Sequence, residues 1–227
     1  MAFVHLHNHT EYSLLDGATK VYDMVKRAAD LGMPAVAITD HGVMSGVPEL
    51  ADACDKVKAE TGTWVKPIFG CEIYFTTDSS LKKEGKQKLH HMILLAKNNT
   101  GYHNIVKLVS ESHVDNFYYR PRTTFEMLEK YSEGVIATSA CIVGIIPRCV
   151  DAGKIDEAIE WRRSSPRSMS QAISTSNCRI RASLPMRARR NASSTNSLRK
   201  LRTTWGLRPS QRTTSTISCK RMRKRRT

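Results

Sequence analysis

Residues 5–17 read HLHNHTEYSLLDG. His5, His7 and His9 fall on alternate positions, and Asp16 follows a short apolar run. Side chains alternate in an extended chain, so His7 and His9 share one face. Further on, TDHG sets Asp40 beside His41, GCEIY carries Glu72, HHMILLA carries His91 and GVIATSAC ends in Cys141. Imidazole, carboxylate and thiolate are the side chains that bind zinc and similar divalent ions. Gathered in one place they would build a site for more than one ion, acidifying a water and holding a phosphate oxygen.

Each piece alone has a plainer explanation. An H-x-H pair can arise by chance in a chain with eight histidines. TDHG could be a turn with an Asp cap, Glu72 a surface carboxylate, and Cys141 a small buried hydrophobe. His5 lies deeper in its segment and reads as a packing or supporting residue. His90, His103 and His113 read as structural or exposed, in helix or loop contexts. The signal is the recurrence of polar clusters beside apolar runs.

Those runs define the elements. FVHL, PAVAIT, PIFGCEIYF, HMILLA and GVIATSAC are short and apolar, as buried strands are. Between them TKVYDMVKRAADLG, with Val21, Met24, Val25, Ala28 and Leu31 at helical spacing, ends at Gly32. VPELADACDKVKAETG, NNTGYHNIVKLVSES, TTFEMLEKY and KIDEAIEW also read as helices. Strand followed by helix, repeated, predicts an α/β fold with parallel strands. Such folds collect functional residues at the carboxyl ends of their strands. The clusters fit that rule, except that His91 opens its run.

The chain has 227 residues and a formal charge of +15. A basic protein suggests a polyanionic partner, but the charge is not evenly spread. Residues 162–227 hold 19 of the 36 basic residues and none of the acidic ones. Residues 1–161 keep 17 basic against all 21 acidic residues, a net of −4. The final 66 residues also hold 16 of the 20 arginines, 21 serines and threonines, no histidine, and no lasting periodicity. They read as a disordered tail without a core. The six cysteines form no C-x-x-C pair, which indicates neither a zinc ribbon nor a disulfide framework. No leader-like segment precedes FVHLH, and no apolar run approaches membrane-spanning length. A cytoplasmic protein with reduced thiols and no membrane contact is expected.

FVHLHNHTEYSLLDG, AVAITDHG, GCEIYF, HMILLAKNNTGYHNIVKLVS and IATSACIVGIIP together resemble the PHP (polymerase and histidinol phosphatase) domain, over roughly residues 2–161. YSLLDG and LLAKNNTGYHN point to the branch found at the start of bacterial DNA polymerase III alpha subunits. The resemblance implies a distorted (β/α)7 barrel with a cleft for up to three divalent ions, zinc or manganese. It implies His7, His9, Asp16, His41, Glu72, His91 and Cys141 as metal ligands, with Asp40 and His41 as catalytic residues. The implied activity is phosphoester hydrolysis, in some members a 3′–5′ exonuclease. The implied partners are DNA and subunits of the replication machinery, reached through a parent DNA-directed DNA polymerase.

The pattern is incomplete. The family's last motif is an Asp-x-His strand, and no histidine follows His113. Residues 1–161 are therefore expected to form an incomplete barrel, poorly soluble and prone to aggregate through its bare edge. Residues 162–227 read as a shift of reading frame in mid-domain; the rival is a genuine basic arm that contacts DNA phosphates. Two other functions stay open: a stand-alone phosphatase for a small phosphate ester, and a DNA-binding protein acting through the tail.

Overall fold

The computed structural model describes residues 3–14, 16–78, 87–141 and 143–164. The tail beyond Ser164, and with it the expectation of disorder, lies outside the described residues. The element order is α1 (Val21–Asp30), β1 (Ala35–Ile38), α2 (Val47–Thr61), β2 (Lys66–Thr76), β3 (Leu89–Ala96), α3 (Asn99–Val114), β4 (Phe117–Tyr118), β5 (Arg120–Thr123), α4 (Phe125–Lys130), β6 (Val135–Thr138), α5 (Ile145–Asp151) and α6 (Ile155–Ser164).

The fold is mixed α/β, built on a six-stranded sheet. The long β2 is its axis. On one side β1 pairs in parallel with its first half (Ala35↔Lys66 to Ile38↔Phe69), and β5 pairs in parallel with its far end (Tyr74↔Arg122). On the other side β3 pairs antiparallel, from Gly70↔Leu95 to Thr76↔Leu89, and β6 in turn pairs antiparallel with β3. The expectation of parallel strands throughout is thus corrected. An antiparallel neighbour, unlike a parallel one, needs no crossover helix.

Alternation sorts the side chains by face. Val36, Ile38, Cys71, Ile73, Phe75, Leu94, Val135 and Ala137 face the helices. Helices α1 and α2 cover the β1 end through Val21, Val25, Leu50, Cys54 and Val57, all fully buried. Ile105 and Leu108 of α3, Leu128 of α4, Ile146 of α5 and Ala158 of α6 cover the rest. Among the described residues the opposite face carries a small apolar cluster, Ala37, Ile93, Leu95 and Ala140, with Ile68 and Ile136 packed against it. In register with it stand Glu72, Tyr74 and His91.

Several local expectations need correction. Leu31 lies beyond the end of α1 and is half exposed. FVHL forms no full strand: His5 bridges Val36 in parallel, Ala37 N–H donates to His5 O, and Thr39 N–H donates to Asn8 O. His90 is not in a loop or helix; it is a buried residue of β3 on the helix side of the sheet. The sequence reading did not anticipate β4, β5 or α5. Among the described residues no helix is long and apolar enough to cross a membrane. Cys54, Cys71, Cys141 and Cys149 are free thiols.

Candidate metal centre

Glu72 is the hub of the polar face and is only 1% exposed. Its Oε2 lies 2.7 Å from His7 Nε2 and 2.9 Å from His9 Nε2, and the two imidazole nitrogens are 2.9 Å apart. Its Oε1 lies 2.5 Å from His91 Nδ1. The strand reversal explains His91. Because β3 runs against β2, the start of β3 arrives where β2 is ending, with His91 beside Tyr74. Cys141, just past the end of β6, stands at the edge with Sγ 3.7 Å from His91 Nδ1 and 4.0 Å from Glu72 Oε1.

A second arm reaches Asp16. His41 bridges Glu72 in parallel after β1 ends, and its Nε2 lies 2.8 Å from Asp16 Oδ2. His41 Nδ1 is buried without a hydrogen-bond partner, 3.9 Å from Glu72 Oε2. Its ring stacks on His9, with centroids 4.1 Å apart. Donor atoms within 4.8 Å of one another form three overlapping sets: His7, His9 and Glu72; His9, Asp16 and His41; His41, Glu72 and His91. Cys141 borders them, and Asp40 belongs to none among the described residues.

Asp40 instead grips the loop before it. Its Oδ1 accepts from Thr10 N–H at 2.6 Å and from Ser13 Oγ–H at 2.7 Å, and its Oδ2 accepts from Thr10 Oγ1–H at 2.7 Å. Having donated to Asp40, Ser13 Oγ has its lone pairs free to accept from His9 Nδ1–H and His41 N–H, both at 3.1 Å. That orients the His9 ring with Nε2 toward Glu72, as supporting hydrogen bonds do for metal-binding histidines. Sequence reasoning assigned no role to Thr10 or Ser13. Their only signal was the polar TEYS stretch between the histidines and the apolar pair before Asp16.

The charges are tightly coupled. Burial alone would raise the Glu72 pKa, but hydrogen bonds from His7, His9 and His91 outweigh it and hold the carboxyl well below the usual range. Burial would lower His91, yet Cys141 and Glu72 push it up to about 9. For Cys141 burial acts upward, and the His91 contact and a backbone hydrogen bond at Val143 draw the thiol down overall. Asp16 is lowered by His41. Three imidazoles thus surround a buried carboxylate. A divalent cation would balance that charge, and the donor set of imidazoles, carboxylates and a thiol suits such an ion. The partnerless His41 Nδ1 facing Glu72 across 3.9 Å fits the same demand.

Residues 5–168 match the PHP domain family. The DNA polymerase III subunit alpha of Borreliella burgdorferi is 46% identical over 160 residues, 69% of this chain and 13% of that protein. The corresponding subunit of Aquifex aeolicus is 41% identical over 167 residues, 70% of this chain and 14% of its own. This chain thus spans only a small part of the curated relatives it matches. A solved protein from Bifidobacterium adolescentis, described provisionally as a metal-dependent phosphoesterase, is 19% identical, with a TM-score of 0.34 over 90% of this chain and 75% of its own.

Proposed function

The chain belongs to the PHP domain family, and from that premise we propose that the cluster around Glu72 is a divalent-metal centre for phosphoester hydrolysis. One observation carries the reading: three imidazoles converge on one buried carboxylate, beside a fourth, His41, whose buried Nδ1 has no hydrogen-bond partner. His7, His9, Asp16, His41, Glu72 and His91 would hold the ions, with Cys141 at the edge. Zinc or manganese, up to three ions in a complete domain, would polarise a phosphate oxygen and supply a nucleophile near neutral pH.

The residues of the chain divide the remaining work. Glu72 supplies the buried negative charge that the cations need. Asp16 draws His41 Nε2 outward, which leaves Nδ1 turned toward Glu72. Asp40, expected from sequence to be catalytic, is proposed as a positioning residue that acts on His9 through Ser13.

We further propose that residues 1–161 are the opening part of a DNA polymerase III alpha-type protein, with a 3′–5′ exonuclease as the specific activity. DNA and replication subunits would be the partners of the whole protein, in the cytoplasm. The relatives' names and the shared identity support this. An incomplete distorted (β/α)7 barrel is the finer architecture we propose, supported by a sheet with helices on one face and the site on the other.

Calorimetric titration of Zn(II) and Mn(II) into the wild type and Glu72→Gln tests the centre. The variant should lose at least about 100-fold in affinity, the upper end of what removing mere supporting partners costs. Equal affinity for both proteins would reject Glu72 as a ligand.

A further inference from the structure

Between α3 and α4 the chain makes a hairpin so tight that Tyr118 pairs directly with Arg120, leaving Tyr119 alone at the tip. Tyr119 has φ 58° and is 82% exposed. A bulky side chain in the left-handed region is an outlier, and a glycine there would avoid the strain. Strain of this kind is retained mainly where the side chain has a use. The ring is also well supported. It packs edge-on against Tyr118 at 4.6 Å, and Tyr118 takes the guanidinium of the buried Arg122 at 5.5 Å.

The hairpin sits at the rim of the metal centre. Pro121 and Tyr74 pack against Gly42, next to His41, so closely that a Cβ on Gly42 would come within 2.8 Å of Pro121. His113 Nε2–H donates to Gly42 O at 2.8 Å and stacks on Phe117, tying the hairpin's base to the same turn. Tyr74 stacks on His41 and meets His91 edge-on. The exposed Arg120 lies over Tyr74, its guanidinium carbon 5.3 Å from the ring centre. Arg120 forms no ion pair among the described residues. A single ring therefore separates a cation available to solvent from two of the proposed metal ligands, and an exposed aromatic stands next to that cation.

We propose that this hairpin positions the end of a single-stranded nucleic acid at the metal centre, with Tyr119 stacking on a base and Arg120 neutralising a phosphate. An aromatic ring that accepts a base, next to a cation that follows the backbone, is how single strands are held without sequence preference. The proposal deepens the phosphoesterase reading and rests on it for the direction of the strand. It makes Tyr119 and Arg120 positioning residues that leave the ions untouched. It also sets a strand end apart from a small phosphate ester, which has no base to stack.

The test compares two fluorescein-labelled ten-nucleotide thymidine strands, one intact and one with abasic terminal positions, by anisotropy with the full chain. Any pull of the basic tail on phosphates acts equally on both. The wild type should prefer the intact strand about tenfold, within the range of stacking on an aromatic side chain. Tyr119→Ala should abolish the preference without weakening the abasic strand; Tyr119→Phe should keep it. Arg120→Gln should weaken both strands. Tyr119→Gly separates this role from a structural one, because it should lose the preference while melting no lower than the wild type. A wild type indifferent to the missing bases, or a preference that survives Tyr119→Ala, overturns the proposal. Glu72→Gln, impaired in metal binding, should keep the base preference. A hairpin failure and a failure of the metal reading are therefore told apart.

Discussion

Asp40 holds Thr10 with both carboxylate oxygens, Oδ1 on the backbone N–H at 2.6 Å and Oδ2 on the hydroxyl at 2.7 Å. The pair ties the histidine segment to the chain just past β1. Asp40→Asn keeps the shape but removes the charge and turns an amide N–H₂ against a donor. Hydrogen bonds to charged groups are worth about 1.5–3 kcal/mol, so the variant should lose about 2 kcal/mol. Urea unfolding in chelator checks this. Unchanged metal-free stability would mean that Asp40 acts only through the ions.

Gly101, in the first turn of α3, lies against the turn before β6. A Cβ there would meet the Gly134 carbonyl oxygen at 1.8 Å, and backbone cannot swing aside. Gly101→Ala should cost about 3 kcal/mol, the upper part of the overpacking range. Gly62→Ala is the control. Gly62 is left-handed at φ 72° with no atom within 4 Å of a Cβ, so it should cost only the 1–2 kcal/mol or so of that conformation. Equal losses in the two variants would show that the contact at Gly134 is not tight.

Glu111 accepts from Lys130 Nζ at 2.8 Å and from Tyr131 Oη–H at 2.7 Å, joining α3 to α4. Lys130, then Tyr131, draws its pKa below the ordinary value. A carboxylate lowered by folding contributes stability that is complete above its unfolded pKa, near 4.3. That contribution fades as pH falls through the lower folded value. Glu111→Gln should thus be less stable than the wild type at neutral pH, with the gap closing under acid. Chemical melts at neutral and acid pH measure the gap. A constant gap would assign the loss to packing.

Resequencing the gene around codon 161 tests the origin of the basic tail. The proposed frame shift expects another frame to continue with an Asp-x-His strand and a polymerase domain. A confirmed frame without that continuation would make the tail genuine and DNA binding by it the next question.

Much of the site was legible because its chemistry is local in sequence. H-x-H, TDHG and GCE each place a donor at a predictable spot beside an apolar run, and the structure brings them together at Glu72. Strand direction was less legible. An apolar run such as HMILLA reads the same in either direction, so the placing of His91 at the start of its strand looked like an exception until β3 proved antiparallel. The grip of Asp40 on Thr10 and Ser13 was not legible, because a carboxylate beside a histidine looks the same in sequence whatever it faces. His90 and His91 are adjacent and identical in type, and only the register sends one to the helices and the other to Glu72. The β4–β5 hairpin escaped because its one-residue turn uses Tyr119 where turn chemistry calls for glycine.

The spread of donors along the chain bears on synthesis. His7 and His9 leave the ribosome first, Glu72 much later, and Cys141 only after the whole of β6, which pairs with β3. No early stretch of the nascent chain owns a finished set. An ion captured by the first histidines alone would be held weakly, and retention would tighten with each strand added. Since binding energy adds to folding energy when the partners are assembled by the fold, the ions would favour the last steps of docking over the first. They would act as a late clasp rather than a seed, and a metal-starved cell would accumulate chains stalled near completion.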